Sequence, residues 1–236
     1  MKQIIFSSPH IKRYETDEFR PSTEPRFVAV SLRGSECHLQ CDHCRTRMLK
    51  ALYQVKTPEQ LETLTARLVS RGCKGLLVTG GCDSDGTIPL GAFAEQICEI
   101  KHRYGLRIAT HTKMVTESFA SAAVRADVDL VMCDLVGADA PLRSVYHLVD
   151  HSAEDVEKSL DISLKHGLKL APHILIGIDY GKVESEYRAL EMLKHRDFEV
   201  LALVVLTPLR HTPMAECSID RDGVLRFLEH AREQFP

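Results

Sequence analysis

A parallel α/β fold is predicted by three features of this 236-residue chain. Short, nearly continuous apolar runs alternate with stretches of helical period, the alternation repeats six times, and most helical stretches carry readable start and stop signals. Apolar runs of that kind are strands buried on both faces, which requires helices laid over a parallel sheet. Such a series either curls into a barrel or lies open as a doubly wound sheet. In both cases the chemistry gathers at the C-terminal ends of the strands. No Gly-x-Gly-x-x-Gly follows the first strand, which weighs against the dinucleotide-binding version.

The first strand is read at Phe27–Leu32. Thr57 then offers an N-cap, Pro58 takes the first helical position and Gln60 completes a capping box. Leu61, Leu64 and Leu68 share one face before Gly72 ends the helix. A strand at Gly75–Thr79 leads to a helix with Phe93, Ile97, Ile100 and Tyr104 on one stripe, stopped by Gly105. Strands at Arg107–Thr110 and Val128–Cys133 bracket a helix at about Val115–Ala126. Ser152 and Asp155 open the next helix, with Val156, Leu160 and Leu164 inward and Gly167 just past its end. Strands at Lys169–Ile176 and Val200–Leu206 alternate with helices at about Glu184–His195 and Arg221–Gln234. Residues 1–26 hold three prolines and several charges and read as an irregular cap, 27–210 as the core, and 211–236 as a C-terminal segment and helix.

Thirty basic against 33 acidic residues leave a formal charge of −3, with no broad footprint for nucleic acid or anionic membrane. No apolar run approaches the roughly 18–20 residues of a membrane span. Met1–Arg13 mixes Lys2, His10, Lys12 and Arg13 with a short Ile4-Ile5-Phe6 cluster and shows no signal-peptide core, so a cytoplasmic location is expected. Thiols stay reduced there, and a chain of this length folds without staples. Its eight cysteines therefore point to metal or catalysis rather than to crosslinks.

Strand order sorts those cysteines. Cys37, Cys41 and Cys44 stand at C-x₃-C-x₂-C spacing in the loop after the first strand, short enough for three sulfurs to turn toward one point. Cys82 follows Gly80-Gly81 past the second strand, Cys133 ends the fourth, and Cys217 lies after the sixth. Cys73 precedes the second strand and Cys98 sits within a helix, so both are read as packing residues. Three thiolates leave one position open on a tetrahedral metal or on one iron of a cubane cluster. A closed zinc site would need His38 or His43 as a fourth ligand, and no second ligand pair at suitable spacing appears.

This loop resembles that of the radical S-adenosylmethionine (radical SAM) superfamily, and the resemblance covers about residues 27–210. It implies a partial (β/α)6 TIM-like barrel of the radical SAM type. It also implies a [4Fe–4S] cluster on Cys37, Cys41 and Cys44 whose fourth iron is chelated by SAM. The residue before the third cysteine is usually aromatic in that superfamily and here is His43, whose imidazole fills the same flat slot. Thr79-Gly80-Gly81 is similar to the family's Gly-Gly-Glu stretch at the SAM amino group. Cys82 stands where the Glu would be, so the acidic contact is missing or passes to Asp83 or Asp85. Ile176 and Gly177 after the fifth strand, and Leu206 after the sixth, resemble segments packed on the adenine.

Within the superfamily, the Gly80–Leu90 stretch resembles biotin synthase homologues, and among them the smaller subunit of the two-component lipoyl synthase. That resemblance implies sulfur insertion at C6 and C8 of an octanoyl chain on a protein lysine. Its partners would be an octanoylated lipoyl-carrier protein, a second radical SAM subunit and a ferredoxin or flavodoxin reductant. A second, auxiliary Fe–S cluster on Cys82, Cys133 and Cys217 would supply the sulfur, with His111 and His173 as further ligands or substrate contacts. Two other readings stand beside it: a radical SAM enzyme of other chemistry, such as biotin-type ring closure, methylation or rearrangement, and a non-catalytic Fe–S subunit. Arg143, Arg210 and Lys113 are candidates for the SAM carboxylate, Arg45-Thr46-Arg47 for a reductant face, and His147 with His151 for a metal pair.

Overall fold

The computed structural model describes residues 26–235. Expectations for residues 1–25, including most of the N-terminal cap, lie outside the described residues. Seven parallel strands form one sheet: β1 (Phe27–Ser31), β2 (Tyr53–Gln54), β3 (Gly75–Thr79), β4 (Arg107–Thr112), β5 (Leu130–Asp134), β6 (Leu170–Ile176) and β7 (Ala202–Val205). Their order is β2-β1-β3-β4-β5-β6-β7, so β2 and β7 are the two free edges of a partial TIM-like barrel. The helices between them are α1 (Pro58–Val69), α2 (Ala94–Tyr104), α3 (Glu117–Arg125), α4 (Asp139–Ser144), α5 (Ala153–Lys165), α6 (Ser185–Glu191) and α7 (Arg221–Gln234).

The six predicted strands are all present, and β2 is an addition. It has only two residues, both exposed, so it carries no apolar run to read. It exists because the chain returning from the cysteine loop pairs with β1, Val30 to Tyr53 and Ser31 to Gln54. The short α4 was also not predicted, since six residues containing Pro141 show no period. The predicted start of α1 is shifted in one detail: Thr57 caps the Gln60 amide, but the Gln60 side chain returns to the Lys56 amide rather than to that of Thr57. Ser152 and Asp155 form the full reciprocal capping box of α5. Helix α6 stops at Glu191, short of the predicted His195, which itself has a φ of 63°.

Strand alternation divides the sheet into two rows. Val28, Val30, Leu76, Val78, Ile108, Val131, Leu170, Ile174 and Ile176 form a fully buried apolar row against the helices. The intervening residues face the barrel interior, and they are partly accessible there: Thr79 on β3, His111 on β4, Met132 on β5 and His173 on β6. Register aligns His111 with Met132 and Asp134 with His173, so His111, Asp134 and His173 share the inner face. Among the described residues no helix is long and apolar enough to cross a membrane.

Candidate active site

The cysteine loop leaves the C-terminal end of β1 and is held from three sides. Ser31 donates its hydroxyl to the Gly34 carbonyl at 2.5 Å, closing the turn out of the strand. The His38 amide donates to the Cys82 carbonyl at 2.9 Å, and the Asp42 amide to the Val145 carbonyl at 2.8 Å. Gly81 lets the β3 end approach: a Cβ there would lie 1.7 Å from the Glu36 carbonyl oxygen and 2.7 Å from the Cys37 Cα. The Gly-Gly pair thus has a packing role in the bare protein, beside the SAM contact that the sequence resemblance assigns to it.

Cys41 is buried, while Cys37 and Cys44 are half-buried. The neighbouring Cys41 holds the Cys44 thiol below an ordinary thiol; burial opposes this, and His43 and Lys113 reinforce it. Cys41 is raised by Cys44 and by burial, and its thiol lies 3.6 Å from the Tyr146 carbonyl. Among the described residues the one set of three or more His, Cys, Asp or Glu ligand atoms lying within 4.8 Å of one another is His111, Asp134 and His173. The three loop thiols are therefore spread wider than a single tetrahedral zinc requires, where Zn–S bonds of about 2.3 Å put sulfurs about 3.8 Å apart. Soft donors spaced this way fit a polynuclear iron–sulfur cluster.

His43 packs its ring on Tyr146, centroids 5.3 Å apart and planes tilted at 55°. Its Nδ1 is buried and has no hydrogen-bond partner among the described residues. Asp42 anchors the far side of the loop. It accepts from Tyr180 Oη at 2.6 Å and Arg45 at 2.7 Å, and its other close neighbour is His147 Nε2 at 3.2 Å. The His147 ring also bonds the Leu39 carbonyl at 2.6 Å, so it serves this loop and is not one half of a pair with His151. Arg45 is committed to Asp42, and Arg143 to Asp139 on the surface.

A second polar group lines the interior beside the loop. Asp134 Oδ2 accepts from Lys113 Nζ at 2.5 Å and Tyr146 Oη at 3.0 Å, and its Oδ1 lies 2.9 Å from His111 Nε2. Burial pushes the Asp134 carboxyl up, but Lys113 and His111 outweigh it and hold the group well below the usual range. For Lys113 burial again works against the charge, and the Asp134 carboxylate keeps it protonated. His173, 5.1 Å from the His111 ring, is lowered to about 4 by burial and by His111. Lys113 therefore pairs with Asp134, where the sequence suggested a SAM carboxylate contact. Sequence reasoning missed Asp134 and Tyr146; both are one-off polar residues at the ends of apolar runs, without a motif.

Cys82, Cys133 and Cys217, expected around a second cluster, do not form a set within 4.8 Å of one another among the described residues. Cys82 is buried within electrostatic reach of Cys37 and Lys113, its thiol pushed up to about 12 by burial. Cys133 aligns with Thr112 and Pro172, one residue out of step with Asp134, so its side chain enters the helix layer instead of the barrel interior. Cys217 lies beyond the end of β6, against Gly181, whose added Cβ would sit 3.1 Å from its sulfur. Of the expected SAM-binding residues, Thr79 donates to the His111 carbonyl at 3.1 Å. Gly177 adopts a φ of 85° and donates its amide to buried Glu186 at 2.7 Å, and the Leu206 amide donates to the Ile176 carbonyl at 2.9 Å. Cys73 is buried with its thiol on the Gly75 carbonyl at 3.2 Å, at the opposite end of the sheet, and Cys98 lies in α2.

Comparison with known proteins agrees with this geometry. Among curated proteins none matches the chain. Solved structures similar to it include methylornithine synthase (PylB), with a TM-score of 0.62 at 18% identity over 86% of this chain and 62% of that one. Streptococcus suis SuiB gives 0.65 at 11% identity, covering 89% of this chain and 46% of that one. The enzyme anSMEcpe with bound AdoMet gives 0.61 at 16% identity, covering 89% and 60%. The chain thus spans about half to three-fifths of the length of these structures, and at such identities they show the fold alone. The radical SAM superfamily model matches residues 32–195, from the end of β1 through the cysteine loop to the end of α6, and the chain belongs to that superfamily.

Proposed function

We propose that the chain is a radical SAM enzyme in which Cys37, Cys41 and Cys44 hold a [4Fe–4S] cluster and the substrate lies inside the barrel against His111, Lys113, Asp134 and His173. The observation that carries this is the trio of soft donors in the loop after β1, packed on a Gly81 that leaves no room for a side chain. When bound, such a cluster supplies the electron that splits SAM into methionine and a 5′-deoxyadenosyl radical, the species able to take hydrogen from an unactivated C–H bond. The chain's residues do the rest. Gly81 admits the loop, Asp42 and His147 hold it, Tyr146 and His43 close off water beneath it, and Lys113 remains charged beside it. Ile176, Gly177 and Leu206 form the rim at the ends of β6 and β7, the place proposed for adenine. Residues 27–210 are taken as the working barrel, with 1–26 and 211–236 flanking it, and the reduced thiols suit the cytoplasm.

The finer form of the reading is sulfur insertion in lipoyl formation, on an octanoyl-lysine carried by a lipoyl-carrier protein, with a second radical SAM subunit and a ferredoxin or flavodoxin reductant. It is supported by the Gly80–Leu90 resemblance and by Cys82, a buried thiol facing the cluster loop. A protein-borne substrate accords with similar structures that hold peptides: SuiB bound to the precursor peptide SuiA, and anSMEcpe with the Cp18Cys peptide. A second reading, hydrogen abstraction from a polar substrate without sulfur transfer, is favoured by the charged inner face of β4–β6. Anaerobic reconstitution with iron and sulfide counts, then turnover with dithionite and SAM, separates the cases. No 5′-deoxyadenosine would overturn the enzyme reading. Thiolated octanoyl-lysine with about eight irons per chain supports sulfur insertion, whereas about four irons and no thiolated product, with Cys82→Ala indistinguishable from wild type, refutes it.

A further inference from the structure

The inner face of β4–β6 contains a constellation that neither SAM cleavage nor the cluster loop requires. His111, Asp134 and His173 come from three adjacent strands, and one ligand atom from each lies within 4.8 Å of the other two. Rigid strands, rather than a loop, fix all three. Bringing these atoms to bonds of about 2.1 Å around a common ion takes about an ångström of side-chain adjustment.

The hydrogen bonding around Asp134 is divided in a way that suits a ligand. Oδ2 is committed to Lys113 Nζ at 2.5 Å and Tyr146 Oη at 3.0 Å, which fixes the carboxylate plane. Oδ1 touches only His111 Nε2, at 2.9 Å, so this oxygen has lone-pair capacity left on the side of the histidines. The His173 ring makes no hydrogen bond with any described residue, although its only ring neighbour is His111 at 5.1 Å. An imidazole kept on an inner barrel face, without a partner, beside a second imidazole and a pre-oriented carboxylate is an arrangement with a task outside folding. Lys113 sits on the other oxygen, Oδ2, and acts as the outer-sphere hydrogen bond that metal-bound carboxylates ordinarily receive.

We infer that His111, Asp134 and His173 form a mononuclear divalent transition-metal site inside the barrel, with the two imidazoles and Asp134 Oδ1 as ligands and its remaining positions open to the interior. Two nitrogens and one carboxylate oxygen suit Zn(II), Fe(II) or Mn(II) and are poor for Mg(II) or Ca(II), which prefer all-oxygen sets. The site is distinct from the cysteine loop: no thiol belongs to it, and its ligands come from β4, β5 and β6 rather than from the loop after β1.

The test uses the full chain with its cluster reconstituted anaerobically and loosely held metal removed by gel filtration. Zn(II) is then titrated and counted by elemental analysis, because it binds such sites more tightly than Fe(II) and displaces it. Wild type is expected to take up one Zn(II) that His173→Ala and His111→Gln lose, with affinity falling by about 100-fold or more, since even outer-sphere changes cost about 10–100-fold. Iron and sulfide content should stay at wild-type values in both variants, so a failure of the cluster assignment would show separately. Equal zinc uptake by wild type and both variants, or no uptake by wild type at about millimolar Zn(II), overturns the inference. His173→Ala decides the matter if His111→Gln fails to fold, because the His173 ring holds no hydrogen bond with any described residue.

Discussion

Gly81→Ala is the smallest change that should separate cluster assembly from folding. The added methyl would lie 1.7 Å from the Glu36 carbonyl oxygen, 2.6 Å from its carbon and 2.7 Å from the Cys37 Cα. All three are backbone atoms, so no side chain can swing aside. Reaching even 3.0 Å, a spacing real Cβ atoms rarely undercut, requires the two segments to part by 3.0 − 1.7 = 1.3 Å. That displacement falls on the residue before the first cluster ligand and on the His38–Cys82 bond behind it. Overpacking of this kind costs about 1–3 kcal/mol, and each kcal/mol lowers the melting temperature of a chain this size by about 2–4 °C. Cluster assembly should suffer more than stability, because three sulfurs must meet one cubane. Anaerobic iron and sulfide counts with visible absorption, set beside thermal melts, measure both. Gly91→Ala is the control: its Cβ would meet only Ala122 at 3.9 Å, so it should match wild type. A Gly81→Ala protein with full iron content and an unchanged melt would refute the close-approach argument.

Two further changes probe the interior and a helix end. Lys113→Met leaves Asp134 buried with only Tyr146 and His111 for company. Breaking a buried pair from one side costs about 3–5 kcal/mol, whereas Lys113→Met combined with Asp134→Leu should recover most of that loss in denaturant unfolding. Asp155→Ala removes the α5 capping box and should cost about 1 kcal/mol at pH 7. Lys158 and the Ser152 amide lower the Asp155 carboxyl to about 2 in the fold. Its contribution is therefore present above the unfolded value near 4 and lost as pH falls through about 2. Wild-type and variant melts should converge across that window; a constant gap would refute the assignment.

The fold was legible because its strands are short runs with one fully apolar face and its helices are punctuated by Thr57, Ser152, Gly72, Gly105 and Gly167. What escaped was set by tertiary pairing or by brevity: β2 exists only through its register with β1, and α4 has six residues. The three cysteines proposed to hold the cluster stood out because they are close together in a single loop at a recognisable spacing. Sites assembled from separate strands were not, since strand ends could be located to about two residues while inward and outward facing changes with every one. Cys133 and Asp134 illustrate the consequence. They are neighbours at the end of β5, and the sequence favoured the cysteine for its chemistry, yet the pleat turns Cys133 into the helices and Asp134 into the barrel.

Tyr146 shows why the two halves of the interior are best regarded as one machine. It is buried, its ring lies against His43 of the cysteine loop, and the Lys113 ammonium stands 5.2 Å over that ring. Its hydroxyl donates to Asp134, and its backbone carbonyl lies 3.6 Å from the Cys41 sulfur. A single side chain with its own backbone therefore touches a cluster ligand, the residue beside the third cysteine, and the carboxylate on the inner face of β5. Neither α4, which precedes it, nor the following loop has a strong sequence pattern, because their positions are dictated by what Tyr146 must reach. Displacing that residue would shift the loop and the inner-face carboxylate together, so the setting of the three loop cysteines and of the His111–Asp134–His173 group depends on one buried side chain.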